Sequence, residues 1–285
     1  MPAASADLFR CPVCALPLQE VTSPSMTWRC DRHHSFDVGR DGTVHLLPAG
    51  HGKTRVVGDS AEMLQARRRF LQAGHYRALT TALATSTAQA LDDTTDGVVA
   101  DFGCGEGSHL AGVVAALSEH HVVVGLDLSK DAVKLAARTV KRARCVVGDS
   151  RLAIPLRDGV VDVGLVVFAP RGVGELARVI AVGGSLLVAI PEPDHLVELR
   201  TRWGGIGIAD EKRERTIEEL ASGFALVDEC VVDDMLTLDG AATADLLCMT
   251  PSRRHLDDDT LAAARAGSPL SVGLRVRLLR LQRRG

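Results

Sequence analysis

Aromatic residues are scarce: one Tyr, two Trp and six Phe in 285 residues. The core must therefore rest on Leu, Val and Ala, and base-stacking platforms are few. Lysine is almost as rare, five of 33 basic residues, beside abundant Ala, Gly and Val, a bias that points to a high-GC genome. No apolar run reaches the roughly 18–20 residues of a membrane span. The longest, around Val160–Pro170, is interrupted by Asp162. No basic stretch followed by an apolar one opens the chain, so no signal peptide and no membrane association are expected, and the expected location is cytoplasmic. There is no large charge excess: the net charge is −3. There is no even set of cysteines either. Seven Cys, three of them within residues 11–30, fit a reducing compartment with a local metal site better than a disulfide framework.

What is present fits one large domain with a small module, at roughly 100–200 residues per domain. Hydrophobic residues make up 46% and charged residues 24%, which excludes wholesale disorder. Charge is unevenly placed. Residues 1–90 carry a net +3 and five of the ten His, and the remainder carries −6. The front of the chain is thus expected to face an anion.

That front reads Cys11-Pro-Val-Cys14, then Cys30-Asp-Arg-His33-His34. A C-x-x-C knuckle puts two thiolates on one side of a turn, and a second pair at C-x3-H spacing completes a tetrahedral Zn²⁺ site. His34 sits at that spacing and His33 competes with it. No acid or base accompanies the four ligands, so the zinc is expected to be structural. So short a module buries little core alone, and metal ligation would drive its folding. Ser35–Asp37 and Asp41–Pro48 read as short strands around a Gly turn. A polar linker follows to Ser60, then a helix over Ala61–Gly74 with an apolar stripe of Met63, Leu64, Phe70 and Leu71. Its Arg67, Arg68 and Arg69 are either a solvated face or a phosphate-contacting edge.

From Gly97 apolar strands alternate with helices. Strands are expected at Val98–Phe102, Val122–Asp127, Arg144–Gly148, Val160–Phe168 and Ser185–Pro191. Helices fall between them at His109–Ser118, Lys130–Val140 and Gly174–Ile180. Phe224–Val232 and Ser271–Leu281 add two strands, with helices near Ala241–Met249 and Thr260–Ala266. This is an α/β, Rossmann-like doubly wound pattern with a seven-stranded sheet. The first strand ends in Asp101-Phe-Gly103-Cys-Gly105-Glu-Gly107. The spacing is G-x-G-x-G, without the G-x-G-x-x-G of a pyrophosphate site. Asp127, with Leu128 beside it, ends the second strand, where a carboxylate can bridge ribose hydroxyls. Gly148-Asp149-Ser150 follows the third, where a carboxylate can accept from an adenine amino group. A nucleoside pocket without a phosphate cradle implies S-adenosylmethionine, and hence the class I methyltransferase fold. The fourth strand ends in Phe168-Ala169-Pro170. The Asp/Asn-Pro-Pro-aromatic motif that holds exocyclic amines is missing, which directs the methyl group to a ring nitrogen, a carbon or an oxygen.

Taken together these residues resemble the RlmA family of 23S rRNA guanine-N1 methyltransferases. The resemblance is carried by the Cys-Pro-Val-Cys knuckle with Cys30 and His34, Ser35–Asp37, the run from Gly58 through Arg68, Leu71–Tyr76, Asp101–Gly107 and Met249–Pro251. It implies a zinc-finger module at 1–48 that recognises hairpin 35 of 23S rRNA, a linker and connecting helix at 49–90, and a methyltransferase domain at 91–285. It also implies S-adenosylmethionine as methyl donor, N1 of one guanine as target, and a homodimer that builds the RNA cleft. The arginine-rich composition suggests the macrolide-linked, tylosin-resistance branch. One departure stands out: Gly273-Leu-Arg-Val occupies the C-terminal strand where an aromatic or polar residue is expected. Arg29, Arg32 and Arg40 of the module, with Arg67–Arg69, are the RNA-contact candidates. For charge on O6 or removal of the N1 proton, the candidates are Arg171, Glu192 and Asp194. The competing readings are a small-molecule methyltransferase of natural-product metabolism and a non-catalytic RNA-binding module.

Overall fold

The computed structural model describes residues 6–23, 25–48, 59–91, 94–204, 207–250, 253 and 255–285. The polar stretch at 49–58 expected as linker, including Gly58 of the resemblance, lies outside the described residues, as does Pro251.

The front of the chain forms a three-stranded antiparallel sheet of β1 (Gln19–Val21), β2 (Thr27–Arg29) and β3 (Ser35–Asp37). The next strand, β4 (Val44–His45), leaves that sheet. It pairs in parallel with β7 (Arg144–Val147), Val44 facing Val146 and His45 facing Val147. The seven expected strands are all present, and β4 makes an eighth at one edge: β10-β11-β9-β8-β5-β6-β7-β4. Here β5 is Val98–Phe102, β6 Val122–Asp127, β8 Val161–Val167 and β9 Ile180–Pro191. The two long strands β10 (Phe224–Leu238) and β11 (Leu270–Arg283) form an antiparallel ribbon against β9. β9 begins five residues earlier than expected because Ile180 pairs with Val161.

The expected helices form as α1 (Ala61–Gln72), α3 (Ser108–Ala115), α4 (Lys130–Thr139), α5 (Val173–Val179), α8 (Gly240–Met249) and α9 (Asp258–Ala266). Ser60 caps α1 by accepting from the Met63 N–H, and Gly74 ends it at φ 84°. Three helices were not expected: α2 (Arg77–Ala90), α6 (Val197–Trp203) and α7 (Lys212–Leu220). In α2 the threonines hide the pattern. Thr80 and Thr87 bond back to the carbonyls of Tyr76 and Leu83, which lets polar residues sit among the buried Leu79, Leu83 and Ala84.

The boundary expected at residue 48 is not a break in packing. Phe9, Leu18, Trp28 and the ligands Cys11 and Cys30 share one buried cluster with Val98, Phe102, Val146, Ile154 and Leu156 of the large domain. Phe9 also bridges Leu156 through the backbone, and the Arg10 N–H donates to the Pro155 carbonyl. Burying an aromatic side chain such as Phe9 or Trp28 contributes about 2–3 kcal/mol. The ribbon is thus seated on the sheet edge rather than tethered beside it.

Candidate functional site

The Cys/His cluster closes as the spacing requires. One ligand atom from each of Cys11, Cys14, Cys30 and His34 lies within 4.8 Å of the others. Cys14 Sγ and Cys30 Sγ are 3.6 Å apart, and His34 Nδ1 lies 3.5 Å from Cys30 Sγ and 3.6 Å from Cys11 Sγ. A tetrahedron with Zn–S bonds of about 2.3 Å has edges of about 3.7 Å, so the donor set fits Zn²⁺ with no position left open. His33 adopts φ 62° and is exposed, and His34 is the histidine that joins the three cysteines. Arg29, Arg32 and Arg40 are all exposed around this site.

At the carboxyl edge of β5 the glycine loop is folded by its glycines. Gly103, Gly105 and Gly107 all have positive φ, 101°, 55° and 90°. A Cβ on Gly103 would meet Ala169 at 2.5 Å, and one on Gly107 would meet the Ala136 backbone at 3.0 Å. Asp127 is fixed at the end of β6: its carboxylate accepts from the Gly105 N–H at 3.0 Å and the Ser129 N–H at 2.8 Å. Each oxygen keeps a free lone pair, as a ribose diol needs. Burial raises the Asp127 carboxyl, against these two hydrogen bonds. Asp101 is 2% exposed, and one of its oxygens has no hydrogen-bond partner. Burial, then the charges of Asp127 and Glu106, push it up to about 7. Glu106, accepting from Ser108, is also raised by burial. An orphaned carboxylate oxygen among three acids fits a cationic ligand such as a sulfonium. Leu128 is partly exposed beside Asp127. Asp149 is chelated by Arg151, through Nε at 3.0 Å and Nη2 at 2.7 Å, so an adenine amino group must share it. Ser150 Oγ donates to the Pro170 carbonyl.

The three arginines of α1 separate. Arg67 pairs with Asp59 at 2.6 Å and lies over the glycine loop, 3.5 Å from where a Gly105 Cβ would be. Arg69 binds both oxygens of Asp245 on α8, which ties α1 to that helix. Arg68 Nε is buried without a partner. More open cations sit in a groove of about 660 Å³ between ribbon and sheet, lined by Arg40, His45, Lys130, Lys134 and Arg138 with Asp37 and Asp41.

The candidates for proton and O6 chemistry are all engaged. Arg171 is held by Glu219 at 2.6 Å and by Thr216. Glu192 binds Arg277, and Asp194 pairs with Arg275. What the carboxyl edge presents instead is a set of rings that sequence reasoning missed. Phe168 ends β8 at φ 53° and is 43% exposed. Such a conformation costs a bulky residue about 1–2 kcal/mol. The Phe168 ring stacks on His195 at 6.0 Å, and Tyr76 contacts both. Tyr76 also stacks on His109, which follows the glycine loop. Burial drives His109 and His195 down to about 4, so both rings are neutral near pH 7. The one available signal was Phe168 at the end of the fourth strand, where the amine-holding motif was sought.

Comparison with known proteins finds the same two modules. Residues 9–55 match the N-terminal zinc-ribbon model of RlmA, and residues 99–184 match a methyltransferase-domain model. The chain is 40% identical to the 23S rRNA (guanine(748)-N(1))-methyltransferase of Streptomyces fradiae over 92% of its own length and 91% of that protein. It is 39% identical to a Micromonospora griseorubida protein provisionally named as a 23S rRNA (guanine-N(1)-)-methyltransferase, covering 95% and 96% of the two chains. Among solved structures, the YcgJ protein of Bacillus subtilis superposes with a TM-score of 0.50 at 18% identity, covering 74% of this chain and all of that one, a likeness of fold alone.

Proposed function

We propose, from the premise that this chain belongs to the RlmA family of 23S rRNA (guanine-N1-)-methyltransferases, that its target is a guanine of hairpin 35 and that the modification contributes to macrolide resistance of the tylosin type. The observation that carries this reading is the near full-length likeness to the Streptomyces fradiae enzyme, which spans ribbon and methyltransferase domain alike.

In this reading Cys11, Cys14, Cys30 and His34 hold a structural Zn²⁺. Asp127 holds the ribose of S-adenosylmethionine, Leu128 and the Gly148–Ser150 turn border its adenine, and Asp101, Glu106 and the glycine loop face its charged end. When bound, that cofactor supplies a methyl carbon activated by its sulfonium, which guanine N1 takes as the C–S bond breaks and the electron pair stays on sulfur. The chain itself must align N1 with that carbon, exclude competing water and handle the N1 proton. Phe168, half-exposed, provides the apolar face for a flat base, and the buried Tyr76 backs it. With Glu192 and Asp194 committed to arginines, no free carboxylate faces this edge from that loop, and the proton passes to water.

The RNA backbone runs along the ribbon arginines Arg29, Arg32 and Arg40 and the groove cations Lys130, Lys134 and Arg138, beside the loop that carries Asp127. A homodimer is part of this reading. It is supported by β10, a sheet edge on which Val227, Val231 and Met235 are exposed. No helix among the described residues is long and apolar enough to cross a membrane, and the enzyme would act in the cytoplasm on ribosomal RNA. Primer extension on 23S rRNA incubated with the protein and S-adenosylmethionine tests the assignment. N1 methylation blocks Watson–Crick pairing and stops the primer at one guanine of hairpin 35. A stop elsewhere, or none, sinks the proposal, and methylation of small molecules alone would return the chain to natural-product chemistry.

A further inference from the structure

The loop after β9 is braced from every side. The Glu192 N–H donates to the Arg275 carbonyl at 3.0 Å, and its carboxylate takes Arg277. Asp194 takes Arg275, and Arg200 donates to the carbonyls of Pro193 and His195. The Leu196 N–H donates to the Gly273 carbonyl at 2.9 Å, with Leu196 itself in the left-handed region at φ 54°. Glu198 accepts from the Gly273 N–H at 3.0 Å. Gly273-Leu-Arg275 of β11 thus offers its backbone as the dock for this loop.

What all these bonds position is the His195 ring. It is 7% exposed, and its Nδ1 accepts the Arg275 backbone N–H at 3.1 Å. A neutral imidazole nitrogen that accepts carries no proton, so the proton sits on Nε2. Burial keeps the ring neutral, at a value of about 4. No described residue hydrogen-bonds Nε2. A nearly buried N–H donor without a protein partner, stacked on the half-exposed Phe168 and touching Tyr76 at the carboxyl edge, is poised for a ligand acceptor.

We propose that His195, through its Nε2–H, donates to O6 of the target guanine and so polarises the C6 carbonyl beside N1. This rests on reading the chain as a guanine-N1 methyltransferase at this site. The N1 proton leaves to solvent water and negative charge develops over N1 and O6, where the His195 hydrogen bond strengthens; N1 then takes the methyl group as the C–S bond breaks, the electron pair stays on sulfur and the charge on O6 is discharged. His195 keeps its own proton throughout: it is a donor, never a base. The same N–H selects the base. Guanine presents an acceptor at C6, whereas adenine presents an amino donor, and two donors cannot pair.

The test separates the two ring nitrogens. His195→Gln places an amide N–H near the Nε2 position. His195→Asn places an amide oxygen near Nδ1, keeping the Arg275 bond and losing the donor. Single-turnover methylation of 23S rRNA, with cofactor affinity measured alongside, is expected to keep Gln within about tenfold of wild type. Asn and His195→Leu should fall a hundredfold or more, on the order of an oxyanion-donor loss, at unchanged cofactor affinity. Full activity in Asn, or Gln falling as far as Leu, overturns the inference and returns His195 to a structural part. The ¹⁵N shifts of wild-type His195 give a reading that needs no variant: an Nδ1–H tautomer, or titration near the ordinary value of about 6.5, also overturns it. A wild-type protein that methylates no guanine defeats the functional reading itself. An active wild type with the wrong variant pattern defeats only the role of His195.

Discussion

The two halves of the large sheet hold their polar groups by different means. On the half made of β5, β6, β7 and β4, proposed to hold the cofactor, the acids at the carboxyl edge have partners near in the chain. Asp127 is held by Ser129, 2 residues on, and by Gly105, 22 away; Glu106 is held by Ser108, 2 residues on. The zinc ligands that seat the ribbon on this half span 23 residues. On the acceptor half, β8, β9, β11 and β10, the partners are distant. Glu192 meets Arg277 across 85 residues, Asp194 meets Arg275 across 81 and His195 meets Arg275 across 80. A group fixed locally leaves a motif, because the fixing residues must be of certain types at certain spacings. A group fixed by a distant strand leaves none.

The strongest way to break this picture is to remove the metal. Structural zinc contributes about 10–16 kcal/mol in ribbon-sized modules, as much as the whole stability of an ordinary domain, about 5–15 kcal/mol. Because Cys11 and Cys30 share a core with Val98 and Phe102, Cys11→Ser or a strong chelator is expected to unfold ribbon and cofactor half together. Calorimetry should show a single lowered transition and lost S-adenosylmethionine binding. A separate ribbon transition, with cofactor affinity kept, would mean that the two do not form one packed half.

Next in size is Asp127→Ala. Losing a charge-assisted pair of hydrogen bonds to the ribose costs about 2–4 kcal/mol, so the cofactor dissociation constant should rise by about two orders of magnitude while RNA affinity holds. An unchanged constant by titration calorimetry would remove Asp127 from the site. On the acceptor half, Arg200→Ala takes away a brace of the His195 loop and should slow single-turnover methylation by about tenfold with cofactor affinity intact. If the loss shows in cofactor binding instead, the division into halves fails.

Smaller effects sharpen the comparison. Changing Lys130, Lys134 and Arg138 to Ala should reduce the salt slope of RNA binding by about 2, at about 0.7 per single-strand phosphate contact. Arg67→Ala, which lies over the glycine loop, should act on cofactor affinity and leave that slope alone; the reverse pattern would restore Arg67 to the RNA edge. Acid should strike both halves. His109 and His195, one on each side, have folded values near 4, below the ordinary 6.5. Their neutral burial stabilises the fold fully above about pH 6.5, and this contribution is lost as pH falls through the folded values. Asp101, pushed up to about 7, acts in the opposite sense over the same window, so the signature is a difference: from about pH 7 to 4.5 the thermal midpoint of His109→Gln should rise relative to that of wild type, and a constant gap would contradict the assignment.

By itself the sequence determined the chemistry that depends on short spacing. Cys11, Cys14, Cys30 and His34 close a tetrahedron because a knuckle and a C-x3-H turn admit few other geometries. Gly103, Gly105 and Gly107 fix a loop at a strand end because only glycine takes those positive φ values without strain, and a side chain at Gly103 or Gly107 would strike Ala169 or Ala136. Strand and helix periodicity carried the seven-stranded sheet. Tertiary structure alone decided what lay between distant segments. It paired β4 with β7, set Arg67 beside Asp59 over the glycine loop, and engaged Arg171, Glu192 and Asp194 in ion pairs. It also set His195, which follows the two candidate acids in the chain, against Phe168 and Tyr76 at the carboxyl edge of the sheet. A side chain's charge and type are written in the chain, but its partner is set by which strands the sheet brings together, and a single sequence does not spell out pairings 80 residues apart.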